Sequence, residues 1–456
     1  MKYRILFVLL MVTVLVLTAC QPAPAATPTD APAAPEATEP AAAEATEPAA
    51  EATEPPAEPE APAEPVELVI WNTWADHHVT AFQELLDEFN AAHPGITVIQ
   101  QAQPLTDYEG KLMQAVRQGA GPDLVTTFAT VAANYINEGM IVNLSEYIDD
   151  PEIGLPNFKE SISEGVYQEI TQWDGNVYMM PMFTGGEVFY YNQTLFDELG
   201  VEVPTTWAEL EETGRTITEA TGKPAFGFDN EIDGFQVLIM QNGSGYINPE
   251  TKTVEYNNEI AVEQLEWFCG LVEEGVFRLV GEDVYFSNPF GSQAVASYIG
   301  SAAGYGFVES AVNGQFEFNV APIPQGGTKE YISNWGGGWM IFTTTEAKQR
   351  AAWEFIKFMS SPEILARWGV AFGGVPAYPA AIEQPVFQEF MATNPAIQAQ
   401  SEQIHRVGSL SAIQGSAAIR TVIGRAVTSA CTGQMTAEEA LTRAEEEGNL
   451  ELQAAQ

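Results

Sequence analysis

Basic side chains are scarce in this chain. Only 18 Lys and Arg stand against 62 Asp and Glu over 456 residues, a formal net charge of -44. Such a surface repels nucleic acid and anionic headgroups, so neither is expected as a partner. Acidity on this scale reads as a solvated face and not as a cation site. Histidine is also rare, with four in the chain. His77 and His78 are adjacent and point differently, and His93 and His405 are isolated, so no metal is expected. Cysteine is limited to Cys20, Cys269 and Cys431. Cys269 shares an apolar helical stripe with Leu265, Phe268 and Val272, where a buried free thiol is the usual occupant. Pairing with Cys431 after export is the alternative. Catalytic motifs are missing too. Gly300-Ser301-Ala302-Ala303-Gly304 has its serine one place too early for a G-x-S-x-G elbow, and neither G-x-x-x-x-G-K nor H-E-x-x-H occurs. No catalytic residue and no cofactor is expected, and the weight moves away from an enzyme.

What is present begins at the N-terminus. Lys2 and Arg4 precede an apolar run from Ile5 to Leu17, which is short for a membrane span of about 20 residues but suits a signal peptide. Leu17-Thr18-Ala19-Cys20 looks like a bacterial lipobox, in which the cysteine is lipidated and becomes the new N-terminus. Residues 1–19 are thus read as a lipoprotein signal peptide and Cys20 as the lipidated residue. Two or more acyl chains on it give stable anchoring where one would be marginal. Gln21 to Pro65 consists almost wholly of Ala, Pro, Glu and Thr, with no Lys, Arg or aromatic residue. It cannot bury enough apolar surface to offset its ordering entropy, so 20–65 reads as a disordered tether. At about 3.1 Å per residue it reaches on the order of 100 Å.

From Val66 onward the composition is globular, and the span to Gln456 is too long for one core, so two domains are expected. Val66-Glu67-Leu68-Val69-Ile70-Trp71 reads as a strand. Val79, Phe82, Leu85, Leu86 and Phe89 follow at helical spacing, Pro94-Gly95 stops the helix, and Ile96-Thr97-Val98-Ile99 returns as a strand. This is a βαβ unit. A second helix leads through Gly121-Pro122 to the strand Asp123-Leu124-Val125, which predicts a mostly parallel α/β sheet. Thr206-Trp207-Ala208-Glu209 and Thr436-Ala437-Glu438-Glu439 match capping boxes, and Pro362 stands at a first helical position.

In open α/β sheets, ligands bind beyond the carboxyl ends of strands. That rule points to Trp74 and Asp76 after the first strand, and to Thr127 and Phe128 after the third. It also points to Phe183, Thr184 and Glu187 before Val188–Tyr191, and to Trp335 before Trp339–Phe342. The glycine-rich breaks, including Gly336-Gly337-Gly338, are turn, hinge or ligand-contact candidates. Aromatic faces with a few carboxylates and hydroxyls suit a carbohydrate, although each aromatic taken alone is more readily a core residue.

One stretch carries a specific resemblance. Met180-Pro181-Met182-Phe183 runs through Tyr190-Tyr191-Asn192 and Leu195-Phe196-Asp197 to Pro204-Thr205-Thr206-Trp207-Ala208-Glu209-Leu210. It resembles the extracellular solute-binding proteins of ABC importers, the group that includes maltose- and glycerol-3-phosphate-binding proteins. Gly121-Pro122-Asp123-Leu124-Val125, Ala321-Pro322-Ile323-Pro324 and Thr421 to Leu441 agree in order. The resemblance implies a two-lobed α/β periplasmic-binding-protein fold of type II, with a ligand cleft between lobes and three hinge crossings. The crossings are expected near Phe183–Glu187, Pro322–Gly326 and Phe372–Pro376. The N-terminal lobe is then 66–184 with 325–373, and the C-terminal lobe 185–324 with 374–456.

By position, the resemblance supports Trp74, Asp76 and Phe128 as first-lobe ligand residues and adds Phe235, Tyr305 and Arg420 from the second. Gly337 and Trp335 complete the expected set with Phe183 and Glu187. Arg420 either clamps a phosphate or carboxylate or pairs with an acid. The implied function is a monomeric, lipid-anchored binding protein that delivers a sugar or oligosaccharide to an ABC permease, touching the membrane only through its lipid. The alternatives are a glycerol-3-phosphate or phosphodiester ligand, a lipid-anchored glycoside hydrolase, and a partner that presents ligand to a receptor.

Overall fold

The computed structural model describes residues 65–456 except 75 and 105–107, with residue 76 described in its backbone alone. Residues 1–64, which hold the expected signal peptide, Cys20 and all but the last residue of the expected tether, lie outside the described residues. Among those described, no helix is long and apolar enough to cross a membrane.

The first lobe is built on the expected βαβ unit. Strand Val66–Asn72 pairs in parallel with Ile96–Ala102 and with Leu124–Thr127. Alternation along the first strand buries Leu68 and Ile70, and helix Asp76–Ala92 covers them with Phe82, Leu85, Leu86 and Phe89. The sheet is completed by Gly338–Ile341, antiparallel to Leu124–Thr127 and to Met180–Pro181. The second lobe centres on Glu187–Asn192, flanked antiparallel by Ser297–Ser301 and Phe318–Ala321. The expectation of a mostly parallel sheet therefore holds only for the first three strands. Strands that arrive from the hinge, not from a helical crossover, run against their neighbours.

Local signals in the sequence are realised where side chains can satisfy backbone groups by themselves. Both capping boxes form, at Thr206 with Glu209 and at Thr436 with Glu439. Pro362 opens helix Pro362–Phe372, and Gly373 ends it with φ +75°. Cys269 and Cys431 form a disulfide between helices Glu259–Glu273 and Ser416–Cys431. The pairing alternative is the one the fold adopts.

The hinge departs from its expected positions. Pro322–Gly326 stays in the second lobe: Ile323 is buried there, and Gln325 N donates to Thr205 O at 2.8 Å. The chain enters the first lobe only at Asn334–Gly337. Trp335 N donates to Gly185 O at 3.0 Å, and Asn334 Oδ1 accepts from Gly185 N at 3.1 Å and Gly336 N at 3.0 Å. A Cβ on Gly336 would meet Phe183 O at 1.9 Å, so the two crossing segments can pack this closely only with glycine. Phe372–Pro376 is likewise not the last passage. Val375, Ala377, Tyr378, Ala381 and Phe387 pack into the first core. Helix Pro395–Glu402 straddles the lobes, with Ile397 in the first core and Ala396 and Ala399 in the second lobe. Gln400 Nε2 then donates to Thr184 O at 2.8 Å, and Gln403 Nε2 to Glu187 O at 2.6 Å.

Candidate ligand cleft

Three segments from different parts of the chain meet between the lobes. Phe128 ends strand Leu124–Thr127 and starts helix Ala129–Ile136, and it remains 44% exposed. Trp335, in the hinge, meets the Phe128 ring edge to face, with centroids 6.3 Å apart. Arg420, on helix Ser416–Cys431, lays its guanidinium over the Trp335 ring, 4.2 Å from the centroid. Its Nη1 donates to Asp233 Oδ1 at 2.5 Å. Gly337 lies beside them: its carbonyl accepts from Met182 N at 3.0 Å, and a Cβ there would make only ordinary contact with Thr127 O. Away from these rings the segment 412–415 ties the lobes directly. Trp173 Nε1 donates to Ala412 O at 2.9 Å and Gly415 N to Asn134 Oδ1 at 3.1 Å.

Buried carboxyls surround this set. Glu187 is held well above the usual carboxylate range, by burial first and then by Asp233 and Asp229, with Arg420 opposing. Burial thus favours its protonated form, which can donate one hydrogen bond as well as accept. Burial raises Asp229 to about 6 against a hydrogen bond from Phe286 N. Burial also pushes Asp233 up, but Arg420 opposes it, as does its place in the first turn of helix Glu231–Gln241. Several buried polar atoms near the hinge have no protein partner: Trp335 Nε1, Gln236 Oε1, Tyr246 OH and Thr184 Oγ1. Buried polar atoms are normally satisfied, often by ordered water where no protein partner stands, and the same holds for groups far from the hinge such as Tyr108 OH and Tyr378 OH. Among the described residues no three His, Cys, Asp or Glu converge to hold a metal ion.

Residues 75–366, more than half of the chain, match the family described as bacterial extracellular solute-binding protein. This chain belongs to that family. The sn-glycerol-3-phosphate-binding periplasmic protein UgpB of Pectobacterium atrosepticum is 22% identical over 411 residues, covering 84% of this chain and 90% of its own. The maltotriose-binding protein of Pyrococcus abyssi is 22% identical over 329 residues, covering 70% and 68%. Among solved structures, the cyclic alpha-maltosyl-1,6-maltose binding protein from Arthrobacter globiformis superposes with a TM-score of 0.74 at 22% identity. It covers 86% of this chain and all of that one. The fold is thus the two-lobed α/β binding-protein fold of type II, with its cleft between the lobes.

Within this solute-binding protein the expected site residues divide by where the fold puts them. Phe128, Glu187, Trp335, Gly337 and Arg420 come together at the cleft. Trp74 sits half-buried in a first-lobe aromatic group, 4.7 Å from Phe82 and 4.9 Å from Trp368 by ring centroids. Phe183 is buried and stacks on Phe372 at 5.0 Å, so its ring packs into the first core. Phe235 is 2% exposed in the second core and is a packing residue. Tyr305 packs 5.5 Å from Phe318, on the sheet face shared by Val188 and Tyr190. Glu187 has the opposite parity, with Phe189 and Tyr191, so Tyr305 is across the sheet from Arg420. The side chain of Asp76 lies outside the described residues.

Asp233, Gln236 and Asn334 were not anticipated. The signal for the first was local: Asn230 caps the helix by accepting from Ile232 N, which makes Asp233 a first-turn residue and not part of a loop. Asp233 and Gln236 lie three apart on one helical face, and Gln236 Nε2 donates to Ser333 Oγ at 2.8 Å in the hinge.

Proposed function

We propose that this protein captures a sugar or oligosaccharide between its lobes and hands it to the membrane subunits of an ABC importer. The observation that carries this reading is the cross-lobe set of Phe128, Trp335, Arg420 and Asp233. A ring from the first lobe and a ring in the hinge stand beside polar groups of the second, so a ligand held by all of them favours the closed arrangement. The exposed aromatic faces suit the C–H faces of pyranoses. The Glu187 carboxyl, whose protonated form burial favours, and Trp335 Nε1 and Tyr246 OH, which have no protein partner, suit hydroxyls. Capture and delivery require no chemical step, and the chain acts by binding alone. Likeness to the glycerol-3-phosphate binder UgpB supports a phosphate-ester ligand as second reading, with Arg420 as its anchor.

Lipidation of Cys20 fits this role. An acidic, proline-rich tether behind an acylated cysteine keeps a monomeric body near its permease while letting it reach outward. The disulfide agrees with an exported, oxidising location. The test is thermal unfolding across a panel of sugars and sugar phosphates. Ligand at about one hundred times its Kd stabilises by about 2.7 kcal/mol, an easily read shift. Trp335→Ala is expected to weaken the responding sugar by about tenfold or more. Unchanged affinity would remove Trp335 from the site, and consumption of the sugar during the assay would replace binding with catalysis.

A further inference from the structure

Arg420 has two commitments before any ligand arrives. Its Nη1 is bonded to Asp233 at 2.5 Å, and its guanidinium plane lies over Trp335 at 4.2 Å. Its side chain keeps 25% exposure, so it borders the cleft without being free of its partner. Among the described residues it is the one cation that acts on both Glu187 and Asp233. Its charge is therefore already matched. A phosphate or carboxylate entering beside Trp335 would compete with Asp233 for the guanidinium and stand near the buried Glu187 carboxyl. An uncharged polyol would meet an oriented, net-neutral ion pair whose remaining donors and acceptors can bind hydroxyls without displacing anything. Asp233 is also held in place from behind. Its helix is capped by Asn230, and its first-turn position lets the helix dipole favour a carboxylate.

We propose that Asp233 is a specificity-determining residue. By holding Arg420 it withholds the guanidinium from phosphate- and carboxylate-bearing solutes and reserves the cleft for uncharged, hydroxyl-rich ones. This rests on the reading of the Phe128–Trp335–Arg420 cleft as the ligand site. It takes the decision between sugar and phosphate ester away from Arg420 itself and gives it to the partner of Arg420.

Asp233→Asn keeps the size of the side chain and one accepting oxygen while deleting the charge. The test titrates glycerol 3-phosphate, inorganic phosphate and maltotriose into the wild-type protein, Asp233→Asn, and the double variant Asp233→Asn/Arg420→Met. Binding is read by calorimetry at low and high salt. The wild type is expected to give no binding of either phosphate probe. Asp233→Asn is expected to bind glycerol 3-phosphate at least about tenfold more tightly than the wild type, in a salt-sensitive manner, and the double variant to lose that gain. Tight glycerol 3-phosphate binding by the wild type would overturn the proposal, and that arm can be read even where the variant does not fold. A folded Asp233→Asn protein with no gain would overturn it as well. If maltotriose and every other sugar leave the wild type unmoved, the sugar reading fails, while a phosphate gain in the variant still upholds the role of Asp233.

Discussion

Glu169 offers a sharp test of the electrostatics at the hinge. It lies on helix Glu164–Ile170 with 7% exposure, and it accepts a hydrogen bond from Asn334 Nδ2. Asn334 is the residue that ties Gly185 and Gly336 across the crossing. Burial raises the Glu169 carboxyl from 4.5 to about 8, with the Asn334 bond opposing only in part. Because folding raises this acid, the unfolded chain releases its proton first as pH increases. The folded protein then binds more protons than the unfolded chain, so stability falls as pH rises from about 4.5 to about 8 and levels off beyond. At about 1.4 kcal/mol per unit, the full cost approaches about 5 kcal/mol. Glu169→Gln preserves shape and an accepting oxygen but cannot ionise. The stability difference between variant and wild type should be flat near pH 4 and grow in favour of the variant up to about pH 8. Calorimetric unfolding at intervals between pH 4 and 9 measures it. Parallel wild-type and variant curves across that range would refute the reasoning, because the slope would then belong to other buried acids such as Asp229 and Glu187.

Two further outcomes follow from the same structure. Replacing Cys269 and Cys431 together with Ser removes a crosslink that spans 162 residues of sequence, and loop closure on that scale gives a loss of up to about 5 kcal/mol. Chemical unfolding of the oxidised and Ser-substituted proteins compares them directly, and equal midpoints would show that the crosslink adds no stability. Phe235→Ala should cost about 3–5 kcal/mol of stability by opening a cavity in the second core, yet leave the affinity of the folded protein for its ligand nearly unchanged. A large loss of affinity without loss of stability would return Phe235 to the cleft.

Features decided within a few residues were legible from sequence. The first βαβ unit follows from the Phe82–Phe89 periodicity and the Pro94-Gly95 stop, and the capping boxes at Thr206 and Thr436 need only their own side chains. The rule that ligands gather at strand ends points to Phe128 and Trp335, whose rings the fold brings together between the lobes, because a loop after a strand must emerge at the sheet edge. It could not separate them from Phe183, which occupies an equivalent position but turns onto Phe372. Aromatic residue types are the same in a wall and in a site. Only the neighbours differ.

The sequence alone thus determined the local elements and the extreme acidity, and its short motifs already pointed to the family. Each of these is written in composition, periodicity or short motifs. Tertiary structure decided which carboxylate meets Arg420, where the chain crosses the hinge, and that Cys269 finds Cys431. Asp233 and Arg420 are 187 positions apart, and the two cysteines 162. No local pattern carries such pairings. They arise when two lobes, each closing its own core, bring distant helices to one surface, and in a chain so rich in acids the geometry alone chooses which one becomes the partner.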